Sequence, residues 1–160
     1  MYRIGFGYDV HQLSTDRKFW LGGIEIPFDK GPVANSDGDT LIHAICDALL
    51  GAANLRDIGF HFPDSSGEFK NIDSKILLKK VISILAEHKY LIVNIDSTIC
   101  LEKPRLKDYI PAMIKVLAET MSVEADCVSI KATTTEKLGF VGREEGIAAY
   151  AVVLIQKKED

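Results

Sequence analysis

The chain opens with a strict alternation between apolar side chains and glycine, acidic or histidine positions. One face of this segment holds Ile4, Phe6, Tyr8 and Val10, and the other holds Gly5, Gly7, Asp9 and His11. A period of two is typical of a β-strand, because successive side chains point to opposite faces. We therefore expect a strand here, with its polar chemistry gathered on one face.

Further elements follow from the same kind of pattern. Two short apolar runs around Gly22-Gly23 predict a hairpin, and Ser36-Asp37-Gly38-Asp39 supplies cap chemistry for a helix that continues to about Ala53. Residues 68–74 lead into a second helix, and residues 104–120 predict a third, with Pro111 tolerated in its first turn. Strands are predicted at 91–101, with Leu91, Val93, Ile95 and Ile99 on one face, and at 127–133 and 146–156. Because strands and helices do not alternate strictly, we predict an α+β fold, a mixed sheet with helices packed on one face.

Composition narrows the class of protein. The chain has 160 residues, 47% hydrophobic and 26% charged, which predicts one globular domain spanning 1–160. The net charge of −4 argues against a general nucleic-acid partner, and no apolar run approaches the ~18 residues of a membrane span. Cys46, Cys100 and Cys127 lie among apolar neighbours without CxxC spacing, so we expect small buried thiols in a soluble, cytoplasmic protein.

The first strand and the first helix carry a candidate metal site. Asp9 and His11 share the strand face that Gly5 and Gly7 keep free of bulk, while Asp39, His43 and Asp47 form a polar stripe at four-residue spacing along an otherwise apolar helix. If His43 meets the strand pair, a carboxylate and two imidazoles form a ligand set that suits Zn²⁺. Asp47 is then a candidate outer partner of His43, or a helix-surface carboxylate.

The remaining two histidines fit this set less well. His88 closes the second helix, where a cation favours the helix dipole, and we interpret it in that way. His61 lies between Phe60 and Phe62, either packed within the loop or part of the site.

A second group of polar residues follows the strand at 127–133. Lys131-Ala132-Thr133-Thr134-Thr135-Glu136-Lys137 places three hydroxyls, a carboxylate and two lysines together. Such a junction suits phosphate oxygens and a divalent cation, or else it is a threonine-rich strand end with a capping glutamate. Neither a P-loop nor a GxGxxG fingerprint occurs, so the residues alone indicate a metal-dependent enzyme acting on a phosphorylated small molecule.

Four long motifs, in order, resemble one enzyme family over nearly the whole chain. They are Gly5-x-Gly7-Tyr8-Asp9-Val10-His11; Ser36-Asp37-Gly38-Asp39 with His43 and 47–52; Asp57-Ile58-Gly59 with Phe62-Pro63-Asp64; and 131–140 with Gly142-Arg143. The chain resembles the 2-C-methyl-D-erythritol 2,4-cyclodiphosphate synthases of the non-mevalonate isoprenoid pathway. The resemblance implies cyclisation of 4-diphosphocytidyl-2-C-methyl-D-erythritol 2-phosphate, in which the 2-phosphate attacks the β-phosphorus and expels CMP.

The resemblance also implies roles for individual residues. Asp9, His11 and His43 would hold one Zn²⁺ per subunit, and Glu136 would hold Mg²⁺ or Mn²⁺ at the diphosphate. Thr134 would steady the reacting phosphate, with Asn35 at the position of a further contact to it. The substrate-binding set it implies is Ser36, Asp57, Ile58, Gly59, Phe62, Asp64, Leu101, Pro104, Arg105, Leu106, Lys107, Thr133, Thr134, Phe140 and Arg143, with the 101–107 loop forming the cytosine pocket largely through its backbone.

The resemblance also has implications for assembly, and the chain differs from the family pattern at two positions. The family forms homotrimers around a central cavity with active sites between subunits, and Phe6, Arg143 and Glu145 match cavity positions where isoprenoid diphosphates occur in relatives. Asn35 replaces a common histidine, so a charged phosphate contact becomes a neutral one, and Phe60 replaces a lysine frequent in relatives.

Two other functions are weighed against the cyclase. A zinc hydrolase would need a general base, for which Asp47 is the nearby candidate, and would leave the threonine segment unused. A non-catalytic trimeric ligand-binding protein would leave the metal ligands unexplained. Bound metal distinguishes the latter from both enzymes, and the product formed with CMP distinguishes the two enzymes.

Overall fold

The structure, a computed structural model, describes residues 1–63, 65, 67 and 69–158. Its strands are β1 (Tyr2–Thr15), β2 (Phe19–Leu21), β3 (Ile24–Ile26), β4 (Lys30–Pro32), β5 (Tyr90–Cys100), β6 (Val128–Thr133) and β7 (Gly146–Lys157). Its helices are α1 (Thr40–Ala52), α2 (Ile58–His61), α3 (Ser74–Glu87), α4 (Ile110–Met121) and α5 (Gly139–Gly142), with a 3₁₀ turn at Ala125–Cys127.

One five-stranded sheet organises the molecule, in the order β4-β1-β7-β5-β6. β5 and β6 run parallel, whereas β1 pairs antiparallel with both β4 and β7, and β7 pairs antiparallel with β5. β2 and β3 form a separate hairpin around Gly22-Gly23. The predicted single-domain α+β fold with a mixed sheet is confirmed.

Helices cover only one face of this sheet. Gly7 lies in a row with Ala151, Ser97 and Ile130, and these side chains are buried under the helices. The neighbouring row, which starts at Phe6, points to the opposite face and is exposed. The helix layer and the buried face of the sheet therefore enclose the core, and α1 is its centre, with Leu41, Ile42, Ile45, Leu49 and Leu50 fully buried.

The open face carries an apolar patch on β1 and β7. It consists of Tyr2, Ile4, Phe6, Tyr8 and Val10 together with Tyr150 and Val152, all exposed. The alternation of β1 was read correctly, but the apolar face of that strand is the one turned away from the helices. A contiguous exposed apolar patch of this kind is typical of a protein–protein contact surface.

Two predicted elements differ from the structure in register or length. A β-bulge between Ile92 and Asn94 shifts the alternation of β5, so Leu91 is exposed while Ile95 is buried, and these residues do not share one face. The helix predicted at 104–120 begins later, as α4 at Ile110, because 104–109 form a loop that ends at the Tyr109 cap. Pro111 falls in the first turn of α4, as expected.

Some short elements and one thiol prediction also differ. β4, α2 and α5 were not predicted, since elements of three or four residues carry too little periodicity. Of the cysteines, Cys46 is buried as expected, but Cys100 and Cys127 are only partly buried, and all three are free thiols. Within the described ranges, every helix falls short of the length and apolar character needed to cross a bilayer.

Candidate active site

Two glycines in β1 bring α1 close enough to build the site. A Cβ added at Gly7 would lie 1.9 Å from the carbonyl oxygen of Ala44, and one at Gly5 would lie 1.9 Å from that of Ala48. Side chains at these positions would push the helix away from the strand. Their absence lets His43 of α1 reach the strand residues Asp9 and His11, as the sequence predicted.

Asp9, His11 and His43 form a tight cluster. Asp9 Oδ2 lies 2.9 Å from His11 Nδ1 and 3.2 Å from His43 Nδ1. One donor atom from each of the three residues lies within 4.8 Å of the other two, and elsewhere in the described ranges no other such group occurs. A carboxylate and two imidazoles, half-buried to buried, form a donor set that fits a divalent cation such as Zn²⁺.

The charges of the cluster stabilise one another. Burial acts to raise the pKa of the Asp9 carboxyl, but the hydrogen bonds and charges of His11 and His43 outweigh it and hold that pKa below its usual value. Burial acts to lower the pKa of His43, but the hydrogen bond and charge of Asp9 outweigh it and the pKa is raised. Asp9 is thus kept as a carboxylate, ready to attract a cation.

Asp39 belongs to the fold and not to this cluster. Its fully buried carboxylate accepts hydrogen bonds from the backbone N–H groups of Gly22 at 3.0 Å, Gly23 at 2.7 Å and Ile42 at 3.0 Å. It therefore caps α1 and ties the hairpin to it, although the sequence had placed it in one polar stripe with His43. Burial and the charge of Asp37 raise the pKa of Asp39 despite these bonds.

Asp47 lies one turn beyond His43 and holds the next loop. Its carboxylate accepts from the backbone N–H of Ile58 at 2.8 Å, the first residue of α2. The hydrogen-bond partners of His43 lie elsewhere: Nδ1 faces Asp9, and Nε2 lies 3.2 Å from Ser36 Oγ and 3.0 Å from Ser74 Oγ. Burial raises the pKa of Asp47, partly offset by the bond from Ile58. Asp47 therefore fixes the start of α2, and its outer role toward His43 stays a prediction.

A first cavity of about 460 Å³ opens beside the cluster. Its walls include Asp9, His11 and His43 together with the predicted residues Asn35, Ser36, Ile58, Gly59 and Phe62. Asp57 caps α2 at its rim, accepting from the N–H of Phe60 at 2.9 Å. Asp64 lies outside the described residues.

A second cavity of about 400 Å³ lies at the β6 edge of the sheet. The predicted residues that line it are Leu101, Pro104, Arg105, Leu106, Lys107, Thr133 and Thr134. The strand-to-helix loop and the end of β6 meet there, so the structure does bring the predicted nucleotide-binding segments together.

Glu136, Arg143 and Glu145 lie on exposed turns between β6 and β7. Glu136 has a positive φ of 53°, and its backbone N–H lies 3.3 Å from Thr134 Oγ1, so the threonine shapes the turn. It lines neither of these cavities within the chain. Arg143 and Glu145 form a two-point ion pair at 3.0 and 3.1 Å, while Phe6 is exposed on the open sheet face. Phe140 and Glu145 line a third opening beside His11.

The structure shows the surroundings of His61 and His88 and of Asn35 and Phe60, the two positions that depart from the family pattern. His61 Nε2 donates to the carbonyl of Leu55 at 2.7 Å, which supports loop packing. His88 Nδ1 lies 2.9 Å from the carbonyl of Ile84 at the end of α3, as interpreted. Asn35 faces the first cavity, and the Arg56 guanidinium lies 4.3 Å from the centre of the Phe60 ring, so a cation remains beside position 60.

Two residues behind His43, Asp37 and Ser74, gave no sign of this place in the sequence pattern. Ser74 is fully buried as the first residue of α3, and its backbone N–H donates to Asp37 Oδ2 at 2.9 Å. Asp37 belongs to the segment interpreted as cap chemistry, and Ser74 only ends the segment that leads into the second helix. A contact spanning 37 residues leaves no local sequence signal.

A known protein family and several named relatives match nearly the whole chain. The sequence profile of the YgbB family matches residues 2–156. The chain belongs to the YgbB family. A relative from Bacteroides fragilis, named 2-C-methyl-D-erythritol 2,4-cyclodiphosphate synthase, is 64% identical over 97% of this chain and 98% of its own. A relative of the same name from Phocaeicola vulgatus is 63% identical over 98% of both chains.

Solved YgbB-like structures share the fold. Bifunctional IspDF from Campylobacter jejuni matches 99% of this chain and 43% of its own longer chain, with a TM-score of 0.96 and 40% identity. The CDP complex of IspF from Plasmodium falciparum matches 99% of this chain and 97% of its own, with a TM-score of 0.87 and 30% identity. The family resemblance deduced from the motifs is therefore confirmed.

Proposed function

We propose that this protein converts 4-diphosphocytidyl-2-C-methyl-D-erythritol 2-phosphate to 2-C-methyl-D-erythritol 2,4-cyclodiphosphate and CMP, as a metal-dependent phosphorus–oxygen lyase of isoprenoid biosynthesis. The observation that carries the proposal is the Asp9, His11 and His43 cluster in the wall of a cavity, in a chain of the YgbB family. The relatives named as this synthase match it over nearly their whole length.

Asp9, His11 and His43 would hold Zn²⁺, and Glu136 would hold Mg²⁺ or Mn²⁺ together with the substrate. When bound, these cations would supply positive charge that orients the diphosphate and offsets its developing charge. The residues of the first cavity would bind the erythritol part: Ser36, Asp57, Ile58, Gly59, Phe62 and Asp64. The exposed Asp57 carboxylate can accept hydrogen bonds from hydroxyls there.

The second cavity would take the cytidine part. The 101–107 loop offers backbone groups that distinguish a base by its edge, and Thr133 ends β6 at the cavity wall, where it would bind the CMP phosphate. Phe140 and Arg143 lie on the following turn and would border the same substrate.

The chemical step needs positioned groups more than a strong acid or base. An oxygen of the 2-phosphate attacks the β-phosphorus, the bond from that phosphorus to the bridging oxygen breaks, and CMP leaves with the electron pair. Thr134 Oγ1 accepts from the N–H of Glu136, which leaves its own proton to be donated to a phosphate oxygen. Asn35, facing the first cavity, would donate a neutral hydrogen bond to the reacting phosphate.

We further propose a homotrimer with each site between two subunits, built from the 1–160 domain, in the cytoplasm. The exposed apolar patch on β1 and β7 supports assembly, and the separation of the two cavities within one chain supports shared sites. Phe6, Arg143 and Glu145 would then lie near the central cavity, as candidates for binding an isoprenoid diphosphate.

The test is product analysis with purified protein and the diphosphocytidyl substrate, with Mg²⁺ or Mn²⁺, before and after zinc chelation. We expect CMP and the cyclic diphosphate in equal amounts, lost on chelation and restored by Zn²⁺. CMP with an open-chain bisphosphate would instead establish a zinc hydrolase. No turnover by metal-loaded protein would overturn the proposed cyclase and point to Asn35 and Phe60 as signs of a different substrate.

A further inference from the structure

The side of His43 that faces away from Asp9 packs against two serine hydroxyls, one of them fully buried. His43 Nε2 lies 3.0 Å from the hydroxyl of Ser74, a residue with no exposed surface. Ser74 is the first residue of α3, whereas His43 lies on α1, so this contact joins two helices at the cluster.

Asp37 fixes the direction of the Ser74 hydroxyl. Asp37 Oδ2 accepts from the backbone N–H of Ser74 at 2.9 Å, and Asp37 Oδ1 accepts from the Ser74 hydroxyl and from the N–H of Asp39 at 3.0 Å. A carboxylate accepts hydrogen bonds and a hydroxyl has a single proton to donate. The Ser74 proton is therefore directed to Asp37.

The remaining lone pairs of Ser74 Oγ face the imidazole, so His43 Nε2 must carry a proton in order to donate to them. Ser36 Oγ lies 3.2 Å from the same nitrogen and accepts from the N–H of Gly38 at 3.1 Å. That bond leaves the Ser36 hydroxyl able to donate or to accept, so Ser74, whose proton is committed to Asp37, sets the direction. With a proton on Nε2, the neutral ring presents its lone pair at Nδ1, on the side of Asp9 Oδ2.

We propose that Asp37 and Ser74 are positioning residues that hold His43 in the tautomer with its proton on Nε2, so that Nδ1 is the metal-binding atom. The proposal rests on the proposed metal site and extends it to two residues outside the ligand set. Outer partners of this kind orient a ligating histidine and raise its basicity.

Ser74→Ala removes the acceptor from Nε2, and Asp73→Ala is the matched control. Asp73 caps the same helix through the N–H of Lys75 at 2.8 Å, so its loss weakens the start of α3 without touching the imidazole. Zinc affinity is measured by competition with a chelator. We expect Ser74→Ala to bind Zn²⁺ about 10–100-fold more weakly, and Asp73→Ala to stay within about twofold of the unmodified protein.

A second measurement needs no variant. Nitrogen-15 NMR of the histidine rings in the zinc-loaded protein should show His43 with a slowly exchanging proton on Nε2 and with the metal on Nδ1. The proton signal should be lost or exchange rapidly in Ser74→Ala. Zinc on Nε2, or an unchanged zinc affinity in Ser74→Ala, would overturn the proposal while leaving the cyclase assignment intact. An unmodified protein that binds no zinc at His43 would overturn the proposed metal site as well.

Discussion

Asp9 and Ala132 lie in one row of the sheet, three strands apart, with Ala149 and Ile99 between them. At about 4.8 Å between neighbouring strands, the metal cluster and the end of β6 are roughly 14 Å apart. Ala149 and Ile99 are completely buried beneath the helices, so a substrate cannot lie along this row. A chain acting alone would hold its two cavities apart, whereas in the proposed homotrimer a neighbouring subunit would place its second cavity beside the metal cluster.

Mixing two inactive variants tests this shared site. His43→Ala damages the metal half and Glu136→Ala damages the nucleotide half, so a mixed trimer regains some sites with both halves intact. Equal amounts of the two variants, unfolded and refolded together, should regain about a quarter of the original activity. A site is intact only when its metal half comes from the Glu136→Ala variant and its nucleotide half comes from the His43→Ala variant. Each of these has a chance of about one half when subunits assemble at random. Refolding each variant by itself is the control. A mixture as inactive as its components would show that each site lies within one chain.

His43→Ala by itself should bind little zinc and should lose at least about 100-fold in turnover, more than the loss of an outer partner costs. Metal content and CMP release are measured on the same preparation. His88→Ala is the matched control, because it also removes one histidine but at the exposed end of α3. Full turnover by zinc-free His43→Ala would show that the cluster is not the metal site of the reaction.

Glu136→Ala should keep its zinc and its thermal midpoint but lose about 100-fold or more in kcat, since it removes the carboxylate that would hold the charge-offsetting Mg²⁺ or Mn²⁺. Glu136 lies on an exposed turn and does not line the first cavity of its own chain, which is why the two effects should separate. Glu124→Ala serves as control, because Glu124 is also exposed and makes no side-chain cap contact. Loss of zinc in Glu136→Ala would contradict the division of roles.

The sequence predicts those parts of the molecule that depend on local pattern. The alternation at Gly5 to His11 and the four-residue spacing of Asp39, His43 and Asp47 predict two polar faces, and the expected cluster depended on their meeting, which the structure shows for Asp9, His11 and His43. What the pattern could not reveal depends on distant contacts: Asp39 is drawn to the hairpin N–H groups, and Ser74 reaches His43 from another helix. The bulge that turns Leu91 away from Ile95 arises from pairing with β7, which is equally invisible in local spacing.

The close approach of α1 to β1 gives a prediction about stability. Gly7→Ala should destabilise the fold by about 3 kcal/mol, because its Cβ would overlap backbone atoms of the helix. Gly51→Ala is the matched control: it lies inside α1 with nothing within 4 Å of an added Cβ, and should stabilise the helix by up to about 1 kcal/mol. Denaturant unfolding of the metal-free proteins measures both. A Gly7→Ala protein as stable as Gly51→Ala would mean that helix and strand are farther apart.

The Asp9–His43 pair makes the stability of the metal-free protein depend on pH. The pKa of His43 is raised above its ordinary value of 6.5, so its contribution is complete below pH 6.5 and is lost as pH rises through the folded pKa. The pKa of Asp9 is lowered from 3.8, so its contribution is present above pH 3.8 and is lost as pH falls through the folded pKa. The pair therefore stabilises the metal-free fold most between pH 3.8 and pH 6.5.

The thermal midpoint of metal-free protein should accordingly fall as pH rises above 6.5, and less steeply in His43→Ala. Asp39 and Asp47 have raised pKa values, and their contributions also decline as pH rises through their own titration, so the difference between the two proteins isolates His43. Zinc affinity should change in the opposite direction and increase with pH, because the metal displaces the proton that Nδ1 shares with Asp9. Parallel slopes for the unmodified protein and His43→Ala would show that the ion pair with Asp9 contributes nothing to the metal-free fold.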